Sequence, residues 1–262
     1  MSFNCASFSP FCLATAQSGV ALIDPTNARG TLFLVKAPTE HIPGAVLLVC
    51  AATLMELRTF APALAEEELE RGVVRQENAL LLVTGVGIPS ALVTVLQTCL
   101  RERPARILNI GIAGAYPGSK LAIGDIVMAE SEVYGDVGME LPAAPGFQPL
   151  RETPWGASYA TPFPLASDPH FTGDRTAPGC TVNACAGTDE TGRRRAQQFG
   201  AAFETMEGAA VAQVGQTLGI PVCEIRAISN FAAHRDMRPE NIRLALRRLA
   251  DFLKTCRETN RA

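Results

Sequence analysis

Short apolar runs that recur between segments of helical spacing constrain this chain more than any other feature. The run AVLLVCAA (45–52) shows no alternation, so both faces of its strand must be covered. ARILNIG (105–111), GDIVMAESEVYG (124–135) and PVCEIRAIS (221–229) read as further strands. Residues 54–70 carry apolar and acidic positions at helical spacing, and a helix is expected over 88–103, with Pro89 tolerated in its first turn. VVRQENALLLVTG (73–85) has the pattern of a hairpin turning at Glu77–Asn78. Helices follow over 190–199 and 207–218, and a basic amphipathic helix runs from Pro239 to about Arg257. Strands interleaved with helices define an α/β fold, here a single domain with a twisted, mostly parallel or mixed central sheet flanked by helices. Ligands of such sheets bind beyond the carboxyl ends of the strands, so chemistry is sought just after each strand.

Two regions depart from this pattern. Residues 1–44 are rich in Ser, Ala, Pro and Thr, show no sustained period and end at Pro43–Gly44. They are expected to form an irregular extension, with an edge strand over Thr31–Lys36, ahead of a domain covering 45–262. Between Leu141 and Gly179 lie eight prolines, which predicts a long loop with little regular structure.

Composition removes several classes of function. Lys+Arg 23 against Asp+Glu 26 gives a net charge of -3, which argues against nucleic-acid binding, a role that needs a basic stripe. The apolar run 45–55 is broken by Thr53 and falls short of the roughly 20 residues that span a membrane. None of the eight cysteines is spaced as CxxC, and His41, His170 and His234 stand alone, so no metal site is expected. The cysteines are read as reduced packing residues. No charged stretch followed by an apolar core opens the chain, so a cytoplasmic location is expected.

The strand ends hold the candidates. GVGIPS (85–90) imitates a dinucleotide-binding loop, but Ser90 stands in place of the third glycine, Pro89 breaks the spacing and no Walker lysine follows. The loop reads instead as a tight strand-to-helix turn, where glycine permits unusual backbone angles. Glu207, in FETMEGAA (203–210), is costly to bury among small apolar residues unless partnered. It is either a first-turn acid favoured by the helix dipole or an acceptor of two sugar hydroxyls, and these readings stay open on the residues alone. Glu56, after the first strand, could equally face solvent.

Taken in order, TGVGIPS, NIGIAGAY with GDIVMAESEVYGD, FETMEGAA and EIRAISN resemble the nucleoside phosphorylase and nucleosidase superfamily, over Ala45 to the last helix. Within it the chain is most similar to the futalosine hydrolases of menaquinone biosynthesis, and more distantly to methylthioadenosine/S-adenosylhomocysteine nucleosidases. The run LNIGIAGAYPGSKLAIGDIVMAESEVYGDVGME carries the strongest local likeness. What the resemblance implies is cleavage of the bond between ribose and a purine. Phosphorylases of this kind carry an arginine before the GIAG-like segment and a serine within it; here those positions are Asn109 and Ile112. An isoleucine side chain cannot bond phosphate, and Glu56 stands where another arginine is expected, so water is favoured over phosphate as nucleophile.

By the same resemblance Glu56 is the general base, Arg226 positions it and the water, Glu207 binds the ribose hydroxyls and Met206 packs beneath the sugar. Gly111, Ile112 and Gly187 line the substrate, with 184–188 offering backbone to the purine. Asn230 departs from the adenine-specific relatives, which carry aspartate there. An amide cannot surrender a proton but can donate hydrogen bonds to N7 or O6, which suits hypoxanthine as leaving group. The carboxylate of futalosine would need a cation, with Arg151, Arg235, Arg238 and His234 as candidates. No cofactor and no metal are implied, and relatives are homodimers or larger, so a homo-oligomer is expected. The alternatives are a nucleoside phosphorylase, a methylthioadenosine-type nucleosidase, or a non-catalytic nucleoside-binding protein.

Overall fold

The structure is a computed structural model. It describes residues 46–259 apart from 70–71, 77, 145, 157–161, 172, 174 and 234–236, together with 20–23 and 32–35. The chain divides into two units, Met1–Glu40 and His41–Ala262. In the first, β1 (Val20–Ile23) pairs antiparallel with β2 (Leu32–Val35), the latter lying within the expected strand 31–36.

The second unit opens with β3 (Leu47–Ala51), α1 (Leu54–Leu57), α2 (Glu66–Leu69), β4 (Val74–Gln76), β5 (Ala79–Val83), α3 (Ile88–Glu102), β6 (Arg106–Ala115) and β7 (Ile126–Tyr134). Then come the small hairpin β8 (Gly138–Glu140) and β9 (Phe147–Pro149), followed by β10 (Phe163–Pro164) and β11 (Thr176–Thr181). The chain continues through α4 (Asp189–Phe199), β12 (Phe203–Thr205), α5 (Gly208–Leu218), β13 (Val222–Phe231) and α6 (Pro239–Thr259).

β3 runs parallel between β5 and β6, and its residues are buried throughout, which accounts for its unbroken apolar sequence. Leu47, Val49 and Ala51 pack with Leu57, Leu64, Leu249 and Leu253 on one face. Leu48 and Cys50 pack with Val95, Cys99, Val211 and Val214 on the other. The sheet is thereby covered by α1 and α6 on one side and by α3 and α5 on the opposite side. Cys50, Cys99, Cys180 and Cys223 are buried and free, and burial pushes the Cys99, Cys180 and Cys223 thiols up to about 12, as inert core groups. Cys5 and Cys12 lie outside the described residues.

On the far side of β6 the pairings close on themselves. β6 pairs with β13, β13 with β7, β7 with β11, β11 with β12, and β12 returns to β6. Five strands thus form a ring, from which β3, β5 and β4 extend as an open wing.

Several expected boundaries are corrected. The helix expected over 54–70 is two single-turn helices: a capping box between Thr53 and Glu56 folds α1 on itself, and Pro62 supplies no donor to carry it on. The strand expected to end at Gly111 continues to Ala115, so the glycine-rich NIGIAGAY stretch is strand rather than turn. The strand expected to end at Ser229 continues to Phe231, with a bulge between Ile228 and Asn230. Part of the region expected to be a loop is β11, a strand of the ring. Its Pro178 falls at a bulge, where a missing N–H leaves the ladder intact.

Candidate active site

Three segments from distant parts of the sequence meet over Gly111 of β6. Thr53 caps α1, and its N–H and hydroxyl donate to Glu56 Oε2 at 3.0 and 2.8 Å. Oε1 of the same carboxylate accepts the Ile112 N–H at 3.0 Å. From β13, Arg226 lies in register beside Gly111 and is fully buried. A Cβ on Gly111 would stand 2.6 Å from Glu56 Oε1 and would collide with Arg226 Nη1. Glycine is required here because a carboxylate and a guanidinium converge on the space a side chain would fill.

Glu207 is the residue at the amino-terminal cap of α5, one position before the first turn, and it is buried. Its Oε1 accepts the Gly87 N–H at 2.8 Å. Gly87 caps α3 with φ 92°, a conformation open to glycine, so the loop that imitates a phosphate cradle offers its backbone to an internal carboxylate. Burial raises the Glu207 carboxyl above its ordinary value; Arg226 and the Gly87 N–H oppose this, while the charges of Glu56 and Glu224 add to it. The charge of Glu56 is thus felt at Glu207, and both side chains are buried. Neither faces solvent.

Arg226 donates from Nε to Glu224 Oε1 at 2.9 Å, and its Nη2 has no hydrogen-bond partner among the described residues. Burial alone would lower its pKa, but Glu224, Glu207 and Glu56 hold it above the ordinary value. It is a permanent cation with donors to spare. Ile112 and Met206 are half-buried beside this cluster in sequence, Ile112 contributing its backbone N–H.

A second group lies further along the β6–β13 pair. Asn230 is set beside Gly114, where a Cβ would stand 3.1 Å from Asn230 Nδ2 and 3.5 Å from Glu204 Cγ. The amide accepts from the Ser229 hydroxyl at 2.9 Å and donates to the Phe231 carbonyl at 3.1 Å, which leaves one N–H without a partner among the described residues. Glu204 accepts the Ala186 N–H, and Arg195 donates to the Ala184 carbonyl at 2.8 Å and to Glu204 at 3.4 Å. Asp136 accepts the N–H groups of Asn183 and Ala184. The segment 183–188 is thus pinned by three charged side chains, and Gly187 is exposed with open space where a Cβ would stand.

Glu132, Glu204, Glu224, Arg195 and Asp136 escaped the sequence reading. The signal for Glu224 was present, since a glutamate and an arginine two apart in the apolar strand VCEIRAIS share a face and must pair if buried. Of the candidate cations, Arg151 stacks on Phe199 and donates to the Gln198 carbonyl, and Arg238 is exposed. His234 and Arg235 lie outside the described residues. Among the described residues no cluster of His, Cys, Asp or Glu is arranged to hold a metal, and no helix is long and apolar enough to cross a membrane.

A sequence model of the phosphorylase superfamily matches residues 41–258, and the chain belongs to that superfamily. Within it the chain falls in the futalosine hydrolase family. It is 36% identical over 177 residues to a futalosine hydrolase of Thermus thermophilus, spanning 64% of this chain and 76% of that relative. A futalosine hydrolase of Streptomyces coelicolor is 32% identical over 181 residues, spanning 65% and 75%. Among solved structures, the S-adenosylhomocysteine nucleosidase of Streptococcus pyogenes has a TM-score of 0.65 at 26% identity, covering 84% of this chain and 99% of that one. The native futalosine hydrolase of Helicobacter pylori, with a TM-score of 0.61 at 17% identity over 81% and 97%, is alike in fold.

Proposed function

We propose that this chain hydrolyses the N-glycosidic bond of futalosine, releasing hypoxanthine and dehypoxanthine futalosine as a step of menaquinone biosynthesis. The observation that carries the choice of water over phosphate is the Glu56 carboxylate, which already accepts the Ile112 N–H beside Arg226. An internal anion stands where a phosphorylase would seat an external one. Two like charges about 4 Å apart repel by about 4 kcal/mol at the effective dielectric of a protein site, so a neutral nucleophile is strongly preferred.

In this reading Glu56 takes a proton from water as the water oxygen attacks C1′, and the bonding pair of the C1′–N bond leaves with the purine. Arg226 holds Glu56 and the water through its Nη groups. Glu207 accepts the ribose hydroxyls, and its negative charge gains value as the sugar becomes cationic. Met206 supports the sugar, Gly111 and Ile112 line its nucleophile side, and the segment containing Gly187 meets the base. Asn230 donates its remaining N–H to the departing 6-oxopurine.

Homo-oligomerisation belongs to the same proposal. Val86, Val93 and Leu100 recur at seven-residue spacing along the loop and helix α3, and with Met55 beside Glu56 they are more than half exposed. A second copy of the chain covering these residues would bury apolar surface that is otherwise left in water. Residues 1–44 are read as an extension outside the catalytic unit, and the location as cytoplasmic.

The test is incubation with futalosine in phosphate-free buffer, with free hypoxanthine measured by chromatography. Hydrolysis predicts release at full rate; release that depends on added phosphate would reassign the chain to phosphorolysis.

A further inference from the structure

A row of polar side chains crosses three buried strands one rung behind Arg226. β13 pairs with β6 so that Glu224 stands opposite Asn109 and Arg226 opposite Gly111. Residues two apart on a strand share a face, so these pairs are consecutive rungs on one side of the sheet. β3 continues the first rung, with Cys50 opposite Asn109. Cys50, Asn109, Glu224 and Arg226 are all buried. Polar groups in such a place are costly unless donors and acceptors match, and here they do. The Cys50 thiol donates to Asn109 Oδ1 at 3.7 Å, and Asn109 Nδ2 donates to Glu224 Oε2 at 2.9 Å. The other oxygen of Glu224 accepts Arg226 Nε, also at 2.9 Å.

Each bond in the row sets the direction of the next. A guanidinium can only donate, so Glu224 accepts from Arg226. The second oxygen of Glu224 calls for another donor, which turns the NH2 of Asn109 toward it and the amide oxygen toward Cys50. Burial holds the Cys50 thiol well above its ordinary value, so the thiol keeps the proton it donates. With both oxygens engaged, the carboxylate plane of Glu224 is fixed, and with it the Nε edge of the guanidinium. The opposite edge lies at the reaction side: Nη1 and Glu56 Oε1 converge on Gly111, and Nη2 has no partner among the described residues. We propose that Asn109 is a positioning residue for turnover, acting through Glu224 to aim the guanidinium of Arg226 at Glu56 and the nucleophile, a role that rests on the nucleosidase reading of that arginine. A carboxylate held at one oxygen alone can rotate about its last bond. The tether from β6 removes that freedom before substrate arrives, which is where preorganisation of a charged group acts.

The order of donors and acceptors supplies the test. Glu224→Gln sets an NH2 group against either the Arg226 or the Asn109 donor, and kcat is expected to fall on the order of tenfold with KM little changed, as for one lost charge-assisted hydrogen bond. Adding Asn109→Asp to that variant restores one amide and one carboxylate with the middle bond reversed. The new amide then donates to the new carboxylate and accepts from Arg226, and kcat is expected to rise several-fold above that of Glu224→Gln alone. An unchanged kcat in folded Glu224→Gln, a loss carried by KM, or a double variant no faster than the single one would overturn the role of the row. A second measurement needs no turnover and leaves Glu224 in place. In arginine side-chain NMR spectra the Arg226 Nε–H signal, assigned by its absence from Arg226→Lys, is expected to exchange with solvent faster in Asn109→Leu than in wild type. Equal exchange rates would overturn the tether even should Glu224→Gln fail to fold. Faster exchange with no hydrolysis of futalosine by wild type would instead leave the tether standing and remove the nucleosidase reading.

Discussion

The proposed sugar side and the proposed base side of the site are held by different means. On the sugar side, Glu56, Glu207 and Arg226 are anchored to strands and helix caps, with Arg226 backed from inside the strand ring. On the base side, a loop is held in place by charged side chains that grip its backbone: Asp136 and Glu204 on its N–H groups, Arg195 on a carbonyl. The difference follows from what each half must do. Charge development at C1′ demands acceptors fixed to a fraction of an ångström, which rigid elements provide. Recognition of a base tolerates a loop, provided its peptide groups are oriented beforehand.

The largest effect that separates the two sides is expected from Glu56→Ala. Losing the group proposed to take the proton from water should lower kcat by about two to four orders of magnitude. Its partners, Thr53 and the Ile112 N–H, lie at the edge of the site and can be rehydrated, so the thermal midpoint should move little. Steady-state kinetics beside a melting curve reads both. A loss of less than tenfold would remove Glu56 from the sugar-side machinery.

Arg195→Met probes the base side. It removes the guanidinium from the Ala184 carbonyl and leaves Glu204, which burial already holds above its ordinary value, without its cation. Breaking a buried pair by removing one partner costs about 3 kcal/mol, so the denaturation midpoint should drop visibly. KM should rise more than kcat falls, because the loop is proposed to orient the base rather than to react. A variant with lowered kcat and unchanged KM would mean that the loop takes part in the chemistry, and the division between the two sides would collapse.

The sequence made these halves legible to different degrees. β3 could be placed because burial on both faces leaves an apolar run, and α3 because Pro89 and its periodicity mark a helix start. Glu56, Glu207 and Arg226 could be gathered on one site only through the family resemblance, since their meeting depends on the register of β13 against β6, which no local pattern encodes. The ring was invisible for a further reason. β11 carries Pro178 and Gly179 and reads as loop, yet the bulge tolerates the proline and the Glu132 carboxyl fills the space that the glycine leaves. The same compensation hid β6 beyond Gly111: glycines that suggest turns in isolation are, in the folded chain, gaps through which buried polar groups approach.

The smallest expected effect lies where the two sides meet. Asn230 accepts from Ser229 and donates to the Phe231 carbonyl, so Asn230→Asp turns a carboxyl oxygen toward a carbonyl oxygen. That contact is repulsive unless the new acid carries a proton, and burial of the position also favours the neutral form. The variant thereby acquires a proton it can deliver to purine N7, which an adenine leaving group needs more than hypoxanthine does, since the 6-oxo group already spreads the departing charge. The ratio of turnover on the 6-amino analogue to turnover on futalosine should rise on the order of tenfold, a modest share of what a well-placed general acid contributes. Competition between the two substrates in one tube, read as adenine against hypoxanthine, measures that ratio directly. An unchanged ratio would place base selection in the loop gripped by Asp136 and Glu204 rather than on β13, and the boundary between the two sides would shift by one strand.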